Sequence, residues 1–247
     1  MDNKRIGIIL AAGRGKRLKE LSDNKPKPMV KVNNVPIINN LVEAMIENSF
    51  TTIVVVVGYK AELLEEHLKE FKKRVNLVFI HNEVYNTTNN IYSLWLANRY
   101  MEDGFFLFEA DVFCDKKIIK EIVSIKRENV MLIDKFTKDM NGTVVNCDCG
   151  NKVENMYLKR DQHIEFEYSN KYKTVNFYKI GMDFYQKFFK QKLDEYIRKE
   201  DLSCYYEVII KSGLENGYEF FGLKTGNNKW WEIDTKLDLR KAEGIFK

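Results

Sequence analysis

A short glycine-rich segment near the start of the sequence combines a flexible backbone with positive charge. Residues 10–18 are LAAGRGKRL and residues 25–29 are KPKPM. Glycines let backbone amides approach an anion closely, and Arg17 and Lys27 supply the charge that phosphate binding requires. The segment is neither a Walker loop nor a dinucleotide fingerprint, because Leu18 stands at the third glycine position of the latter. By itself, a GxG turn also fits an ordinary connection between a strand and a helix.

Two aspartates follow apolar stretches that lie far apart in the chain. Asp111 comes after the run FFLFEA, at the carboxyl end of a predicted buried strand, which is where open α/β sheets bind ligands. Asp234 lies in the segment WEIDT before the last predicted helix, so capping of that helix is its ordinary explanation. Two such carboxylates can hold Mg²⁺ against triphosphate oxygens. They are 123 positions apart, and the sequence does not show whether they meet.

The net charge of +4 comes from one end of the chain. Residues 1–31 contain nine basic and three acidic residues, whereas the rest of the chain contains 31 basic and 33 acidic residues. A nucleic-acid-binding protein more often spreads its basic residues over a face that follows the phosphate backbone. The distribution therefore favours one small anionic ligand and argues against a nucleic-acid partner. The three histidines lack ligand spacing, which argues against a zinc site.

Alternating strands and helices must position these residues. Apolar runs at 6–10 and 53–57 predict strands buried on both faces, and the segments 37–50 and 61–71 place apolar residues at helical spacing. This alternation predicts an α/β fold of the Rossmann-like type, with a mostly parallel central sheet, helices on both faces and a small mixed-sheet extension in the second half. Further strands are expected at 75–80, 105–109, 130–136, 142–147, 152–158, 174–179 and near 220, and further helices at 91–100, 184–199, 205–214 and 235–246.

The glycine loop is part of a longer pattern. LAAGxGxRL followed shortly by PKPM resembles the signature of the nucleotidyltransferases that make sugar nucleotides and CDP-alcohols. The resemblance implies that the loop wraps a nucleoside triphosphate, that Arg17 holds the departing pyrophosphate and that Lys27 lies near the reacting phosphates. Asp111 and the segment WEIDTxxDL resemble the two metal-binding aspartate positions of that family, which implies Mg²⁺ bound by Asp111 and Asp234. The sequence departs from the family at Lys16, where Thr or Ser is usual.

A second segment indicates which nucleotide is used. Residues 89–94 are NNIYSL, which resembles the cytidylyltransferase branch of the family, including the phosphocholine and 2-aminoethylphosphonate enzymes. The ordinary alternative is the start of a helix that Asn90 caps. The resemblance implies CTP as the nucleotide. The predicted nucleotide-binding residues are Leu10, Ala11, Ala12, Gly13, Arg14, Gly15, Lys16, Arg17, Gly58, Asn90, Ser93 and Ala110.

Two segments of the second half resemble the phosphonate cytidylyltransferases. Residues 140–145 are MNGTVV and residues 173–179 are KTVNFYK, but Asn141 stands where those enzymes have Asp, which weakens recognition of a cationic amine. The acceptor therefore stays open between 2-aminoethylphosphonate, a hydroxylated phosphonate and phosphocholine. Trp230 and Trp231 form either a cation-π box for a quaternary ammonium or core packing. The predicted acceptor-binding residues are Lys138, Asn141, Thr143, Lys159, Asn176 and Trp231, with Lys159 as the catalytic cation of this half.

The predicted reaction is direct transfer of CMP from CTP to a small phosphate or phosphonate acceptor, with release of pyrophosphate. It needs no general base, because the acceptor oxyanion is already ionised, and it depends on alignment and charge neutralisation. The rival functions are a sugar-1-phosphate nucleotidyltransferase, a non-catalytic nucleotide-binding regulatory subunit, and an NAD-binding domain, against which the missing third loop glycine argues.

The chain is expected to form one nucleotidyltransferase domain over residues 1–247, with a nucleotide-binding half at about 1–125 and an acceptor-binding half at about 126–247. Its four cysteines form no CxxC pair, which favours free thiols and a cytoplasmic location. No apolar run approaches the roughly 20 residues of a membrane helix, so no membrane partner is expected. A homodimer stays open.

Overall fold

The computed structural model describes residues 4–247, which form strands and helices joined by short 3-10 turns. The strands are β1 (Ile6–Ala11), β2 (Lys31–Val32), β3 (Val35–Pro36), β4 (Thr52–Val57), β5 (Asn76–His81), β6 (Phe105–Glu109), β7 (Val112–Cys114), β8 (Val130–Lys135), β9 (Val144–Cys147), β10 (Val153–Tyr157), β11 (Tyr172–Ile180), β12 (Phe221–Lys224) and β13 (Trp230–Glu232). The helices are α1 (Glu20–Asp23), α2 (Ile37–Glu47), α3 (Ala61–Leu68), α4 (Asn90–Leu96), α5 (Lys117–Ser124), α6 (Met182–Phe184), α7 (Lys190–Arg198), α8 (Glu207–Glu215) and α9 (Lys236–Ile245).

One large sheet forms the centre of the fold, with the strand order β10-β9-β11-β6-β1-β4-β5. Strands β6, β1, β4 and β5 run parallel to one another. Strand β11 lies antiparallel beside β6 and also pairs with β8 and β9. The predicted α/β fold, with a mainly parallel sheet and a mixed extension in the second half, is therefore confirmed.

The two faces of the sheet carry separate cores, because side chains alternate along each strand. In β1, Ile9 and Ala11 pack with α2, α3 and α5 on one face, whereas Ile8 and Leu10 pack with α4, α7 and α8 on the other. A fully buried Ile or Leu side chain stabilises a fold by about 1.5–3 kcal/mol. Burial on both faces therefore holds the central strands, including their carboxyl ends, in defined positions.

A third, smaller core lies beyond the carboxyl ends of the strands. It joins Leu18 of the glycine loop, Val32 of β2, Phe113 of β7, Trp231 of β13 and Leu239 of α9. Strands β7 and β13 pair antiparallel there as a separate two-stranded ribbon. This core therefore attaches the glycine loop to the segments that follow Asp111 and precede Asp234.

Several element boundaries differ from the sequence-based expectation. The helix predicted over 91–100 ends at Leu96 and continues as a 3-10 turn at Asn98–Tyr100. The helix predicted over 184–199 starts at Met182 and contains a π-helical segment, Tyr185–Phe189, between α6 and α7. The β2–β3 hairpin and the β7–β13 ribbon are missing from the prediction because strands of two or three residues are too short to show a period. Helix α5 is also missing from it, although Ile118, Ile119 and Ile122 lie at helical spacing. Among the helices of residues 4–247, none combines the length and apolar character needed to cross a membrane.

Candidate active site

A cleft of about 1470 Å³ opens at the carboxyl ends of β1 and β6. Ligands of open α/β sheets bind at this edge. Three of the predicted site residues, Gly58, Lys138 and Trp231, lie outside its lining. The predicted residues that line the cleft are Leu10, Ala11, Ala12, Gly13, Arg14, Gly15, Lys16, Arg17, Lys27, Asn90, Ser93, Ala110, Asp111, Asn141, Thr143, Lys159, Asn176 and Asp234.

The glycine loop is held in a shape that larger residues would not permit. Gly15 has a φ of 69°, and a Cβ at this position would lie 2.9 Å from Cβ of Lys27. A Cβ at Gly58 would lie 2.8 Å from the carbonyl oxygen of Ala12, so Gly58 packs beneath the loop and does not face the cleft. Leu18, which is fully buried, anchors the end of the loop. The two glycines therefore act by allowing close approach of backbone segments.

The two aspartates meet through Lys27. Its Nζ lies 2.8 Å from Oδ2 of Asp111 and 2.8 Å from Oδ1 of Asp234, and Nη2 of Arg17 lies 2.8 Å from the same Asp234 oxygen. The cause is the register of the β7–β13 ribbon, in which Glu232 faces Val112. Beyond that pair, the Ile233 amide donates to the carbonyl of Asp111 at 2.8 Å. The ribbon thereby brings together two carboxylates that are 123 positions apart.

The opposite charges of Lys27, Arg17 and the two aspartates stabilise the ionised forms of Lys27 and Asp234. Burial opposes the charge of Lys27, but Asp111 and Asp234 outweigh that effect and hold the pKa of Lys27 above its ordinary value. Burial also opposes the charge of Asp234, but Lys27 and Arg17 outweigh it and lower the pKa of Asp234. Lys27 and Asp234 are therefore both charged at neutral pH. The cost of removing such charges from water offsets much of their attraction, so a buried ion-pair cluster contributes little to the stability of the fold. Its position in a cleft indicates a functional site.

The aspartate pair fits a divalent cation. Oδ1 of Asp111 is buried and has no hydrogen-bond partner among residues 4–247, although its other oxygen contacts Lys27. Within the same residues, no group of three or more His, Cys, Asp or Glu side chains converges as a complete metal site. Mg²⁺ commonly takes only one or two carboxylates and completes its shell with phosphate oxygens and water. Asp111 and Asp234 match that donor set.

Polar side chains of Asn82, Asn90 and Ser93 line the cleft between β5 and α4. Asn90 and Ser93 were predicted to bind the nucleotide, but Asn82 was not. The side-chain oxygen of Asn82 accepts from the Val84 amide at 3.1 Å, and its nitrogen donates to Thr88 at 3.1 Å and to Ser93 Oγ at 3.0 Å. Ser93 Oγ thus already accepts a hydrogen bond, and within residues 4–247 its own hydrogen is not donated to another group. Asn82 follows a strand as a single polar residue, and nothing in its sequence context distinguishes it from a turn residue.

Asn90 does not cap helix α4, contrary to the ordinary alternative considered for it. Asn89 is the N-cap, and its side-chain oxygen accepts from the Asn90 amide at 2.8 Å. The side chain of Asn90 instead donates to Glu109 Oε1 at 3.0 Å and accepts from the Tyr206 amide at 3.0 Å. Asn90 therefore links the end of β6 to the start of α8 at the cleft wall.

The wall of the second half contains a buried lysine that the sequence analysis did not select. Lys173 is 1% exposed, lies 3.3 Å from Glu232 Oε2 and donates to the Thr174 carbonyl at 2.6 Å. Asn176 has a φ of 62° at an irregularity in β11, and its side chain donates to Glu232 Oε1 at 3.3 Å. Lys159 also lines the cleft, but it is exposed. The KTVN and WEID segments contained Lys173 and Glu232, but only packing distinguishes them from their neighbours.

The tryptophans do not form a box in this cleft. Both are buried; Trp230 donates from Nε1 to Asp134 Oδ2 at 2.6 Å, and Lys241 Nζ lies 3.9 Å from the ring centroid of Trp231. Trp230 and Trp231 instead line a smaller cavity of about 210 Å³, which adjoins the cleft and shares part of its lining. Of the two explanations considered for these residues, core packing applies. Lys138 lines neither cavity.

The fold and the matched segment together define the class of protein. The chain belongs to the nucleotidyl transferase family, whose model matches residues 6–157. The predicted family and the predicted class of enzyme, a nucleotidyltransferase, are therefore confirmed.

Individual relatives cover nearly all of this chain. It is 26% identical over 240 residues to CMP-5'-(3-aminopropyl)phosphonate synthase of Streptomyces rubellomurinus, covering 97% of this chain and 38% of that protein. It is 28% identical over 245 residues to choline-phosphate cytidylyltransferase of Streptococcus pneumoniae, covering 97% of each. The solved structure of CTP:phosphocholine cytidylyltransferase from the same species matches with a TM-score of 0.83 at 26% identity, covering 98% of this chain and 100% of that one. The chain thus spans less than half of the phosphonate synthase but nearly all of the choline-phosphate enzyme.

Proposed function

We propose that the protein transfers CMP from CTP to a small phosphate or phosphonate acceptor and releases pyrophosphate. The observation that carries this proposal is the meeting of the glycine loop, Arg17, Lys27 and the two aspartates at one end of the cleft. The two named relatives support CTP, because one is called a CMP-phosphonate synthase and the other a cytidylyltransferase.

The reaction is an in-line displacement at the α-phosphorus of CTP. A bond forms from the acceptor oxygen to that phosphorus, the bond to the bridging oxygen breaks, and the electron pair leaves with pyrophosphate. The glycine loop and Arg17 hold the departing phosphates, and Lys27 places its charge beside the reacting ones. Mg²⁺, when bound by Asp111 and Asp234, neutralises charge on the triphosphate. The acceptor oxyanion is ionised at neutral pH, so alignment replaces a general base.

Lys173 is the cation that we assign to the acceptor side. Its side chain is buried, its Nζ has fixed partners, and it shares the cleft with Asn141 and Thr143. Lys159 is exposed, so holding it in one position costs more side-chain entropy. Lys173 is therefore the better candidate for the catalytic cation of the second half, and Lys159 is the alternative.

The nucleobase is assigned to the wall of Asn82, Asn90 and Ser93. Because Asn82 donates to Ser93, the Ser93 hydroxyl can donate to a pyrimidine carbonyl oxygen.

We also propose a cytoplasmic location, which the four unpaired cysteines support.

The decisive experiment measures pyrophosphate release in the presence of Mg²⁺. CTP, UTP, dTTP and ATP are each combined with phosphocholine, 2-aminoethylphosphonate, 2-hydroxyethylphosphonate and glucose 1-phosphate. Release with CTP and a phosphate or phosphonate acceptor is expected. Release confined to UTP or dTTP with glucose 1-phosphate would instead identify a sugar-1-phosphate nucleotidyltransferase, and no release with any CTP pair would refute the proposal.

A further inference from the structure

A buried carboxylate with one unpaired oxygen lies in the acceptor half of the cleft. Glu207, the first residue of α8, is 7% exposed and lines the cleft. Its Oε1 accepts a long hydrogen bond of 3.4 Å from Thr143 Oγ1, and its Oε2 has no partner among residues 4–247. Leaving such an oxygen buried and unpaired is costly, and native structures rarely do so without a ligand or water to satisfy it.

Among residues 4–247, no cation forms an ion pair with Glu207. Glu109 and Glu232 line the same cleft, and the buried cation nearby, Lys173, is engaged by Glu232 at 3.3 Å and by a backbone carbonyl. Burial raises the pKa of Glu207, and Lys173 opposes this rise only in part. A cationic ligand would supply the missing charge.

Lys173 and Glu207 are a buried cation and a buried carboxylate that line the same cleft. A Cβ on Gly142 would lie 3.3 Å from Lys173 Nζ, and the next residue, Thr143, contacts Glu207. The cation and the carboxylate therefore lie near consecutive residues of the cleft wall, and Lys173 is close enough to Glu207 to oppose the effect of burial on its pKa. A small acceptor with opposite charges at its two ends can place its phosphate or phosphonate at Lys173 and its amine at Glu207.

We propose that Glu207 binds the protonated primary amine of the acceptor, so that the substrates are aminoalkyl phosphonates or phosphates with a free ammonium group. This inference rests on the proposed function. A primary ammonium has three N–H donors for a carboxylate, whereas a trimethylammonium has none and favours aromatic faces. Of the aromatic side chains that line the cleft, Tyr85 packs against Gly58 on the nucleotide side and Tyr205 is 57% exposed. In the adjoining cavity, the ring of Trp231 already has the Lys241 ammonium 3.9 Å from its centroid. Glu207 thus supplies the negative charge that Asn141 lacks.

Two matched pairs of acceptors test the inference with the unaltered protein. 2-Aminoethylphosphonate is compared with 2-hydroxyethylphosphonate, and phosphoethanolamine with phosphocholine, by pyrophosphate release with CTP and Mg²⁺. The amine is expected to have at least about a tenfold higher kcat/KM than its partner in each pair, because a charge-assisted hydrogen bond contributes about 1.5–3 kcal/mol. Equal use of both members, or preference for phosphocholine, overturns the inference while leaving the proposed function intact.

The variant Glu207→Gln tests the residue itself. It is expected to reduce the amine preference at least about tenfold, through a higher KM for the amino acceptor. Glu215→Gln, at the exposed far end of the same helix, is the matched control and should keep the preference. An equal loss with the amino and hydroxyl acceptors would show a structural role and overturn the assignment. If Glu207→Gln does not fold, the acceptor pairs still decide, and no release with any acceptor would refute the proposed function instead.

Discussion

At the scale of single residues, the site depends on a lysine shared between two carboxylates. Lys27 Nζ lies 2.8 Å from a carboxylate oxygen of Asp111 and 2.8 Å from one of Asp234, so this lysine holds the two carboxylates close together. Each aspartate can therefore be substituted separately, because Lys27 keeps its ion pair with the other one.

Asp111→Asn removes one charge without changing the shape of the side chain. We expect kcat to fall by at least about 100-fold, since preorganised charge is a large term in phosphoryl transfer. The fold should persist because Lys27 still contacts Asp234. Pyrophosphate release measures kcat, and far-UV circular dichroism checks folding. Turnover close to that of the unaltered protein would contradict the metal assignment.

A matched pair of substitutions shows which lysine, Lys173 or Lys159, acts on the acceptor. Lys173→Met should lower kcat/KM for the acceptor at least about tenfold, because a charge-assisted contact contributes about 1.5–3 kcal/mol. Lys159→Met should have a much smaller effect, because its side chain is exposed. Acceptor titrations at saturating CTP measure both. A larger effect of Lys159→Met would reverse the assignment.

At the scale of elements, two short strands and a helix cap decide where the second aspartate lies. The register of β7 against β13 sets Ile233 opposite Asp111, and a slip by one residue would turn Asp234 away from Lys27. Helix α9 then begins with a capping box, in which Thr235 Oγ1 accepts from the Asp238 amide and Asp238 Oδ2 accepts from the Thr235 amide at 2.8 Å. The amide of Asp234 also donates to Asp238, at 3.2 Å.

Removal of this cap should affect both stability and activity. Thr235→Ala is expected to lower the free energy of unfolding by about 1 kcal/mol, whereas Thr235→Ser retains the hydroxyl and should lose little. Because Asp234 precedes the cap, the alanine variant should also need more Mg²⁺ for half-maximal turnover. Urea unfolding and a Mg²⁺ titration measure the two effects. A stability loss with an unaltered Mg²⁺ requirement would show that the cap does not position Asp234.

At the scale of the whole molecule, one cleft draws on segments from residue 10 to residue 234. The third core, which holds Leu18, Phe113 and Trp231 together, attaches the glycine loop to the second aspartate. Both predicted halves therefore contribute to the same site. We expect the chain to unfold as one unit and ligands to stabilise all of it.

Thermal unfolding tests this expectation. Far-UV circular dichroism and the fluorescence of Trp95, Trp230 and Trp231 should give one coincident transition. CTP with Mg²⁺ at about 100 times its Kd should add about 2.7 kcal/mol of stability, and EDTA should remove the metal-dependent part. Two separated transitions, with only one shifted by CTP, would show that the halves fold independently.

The sequence by itself determined the local features of this protein. Continuous apolar runs predicted β1, β4 and β6, because buried parallel strands exclude polar residues, and the glycine loop with its cations indicated phosphate chemistry. The resemblance of its segments to the nucleotidyltransferases predicted the family that the comparison confirmed.

Only the tertiary structure decided which side chains meet. Strand register and burial brought Asp111 to Asp234, placed Lys173 and Glu207 in the lining of the cleft, and packed Trp231 in the third core. Periodicity describes a residue's own element, whereas these contacts join residues far apart in the chain. Their geometry follows from how the sheet, the ribbon and the helices pack, and that packing is a property of the whole fold.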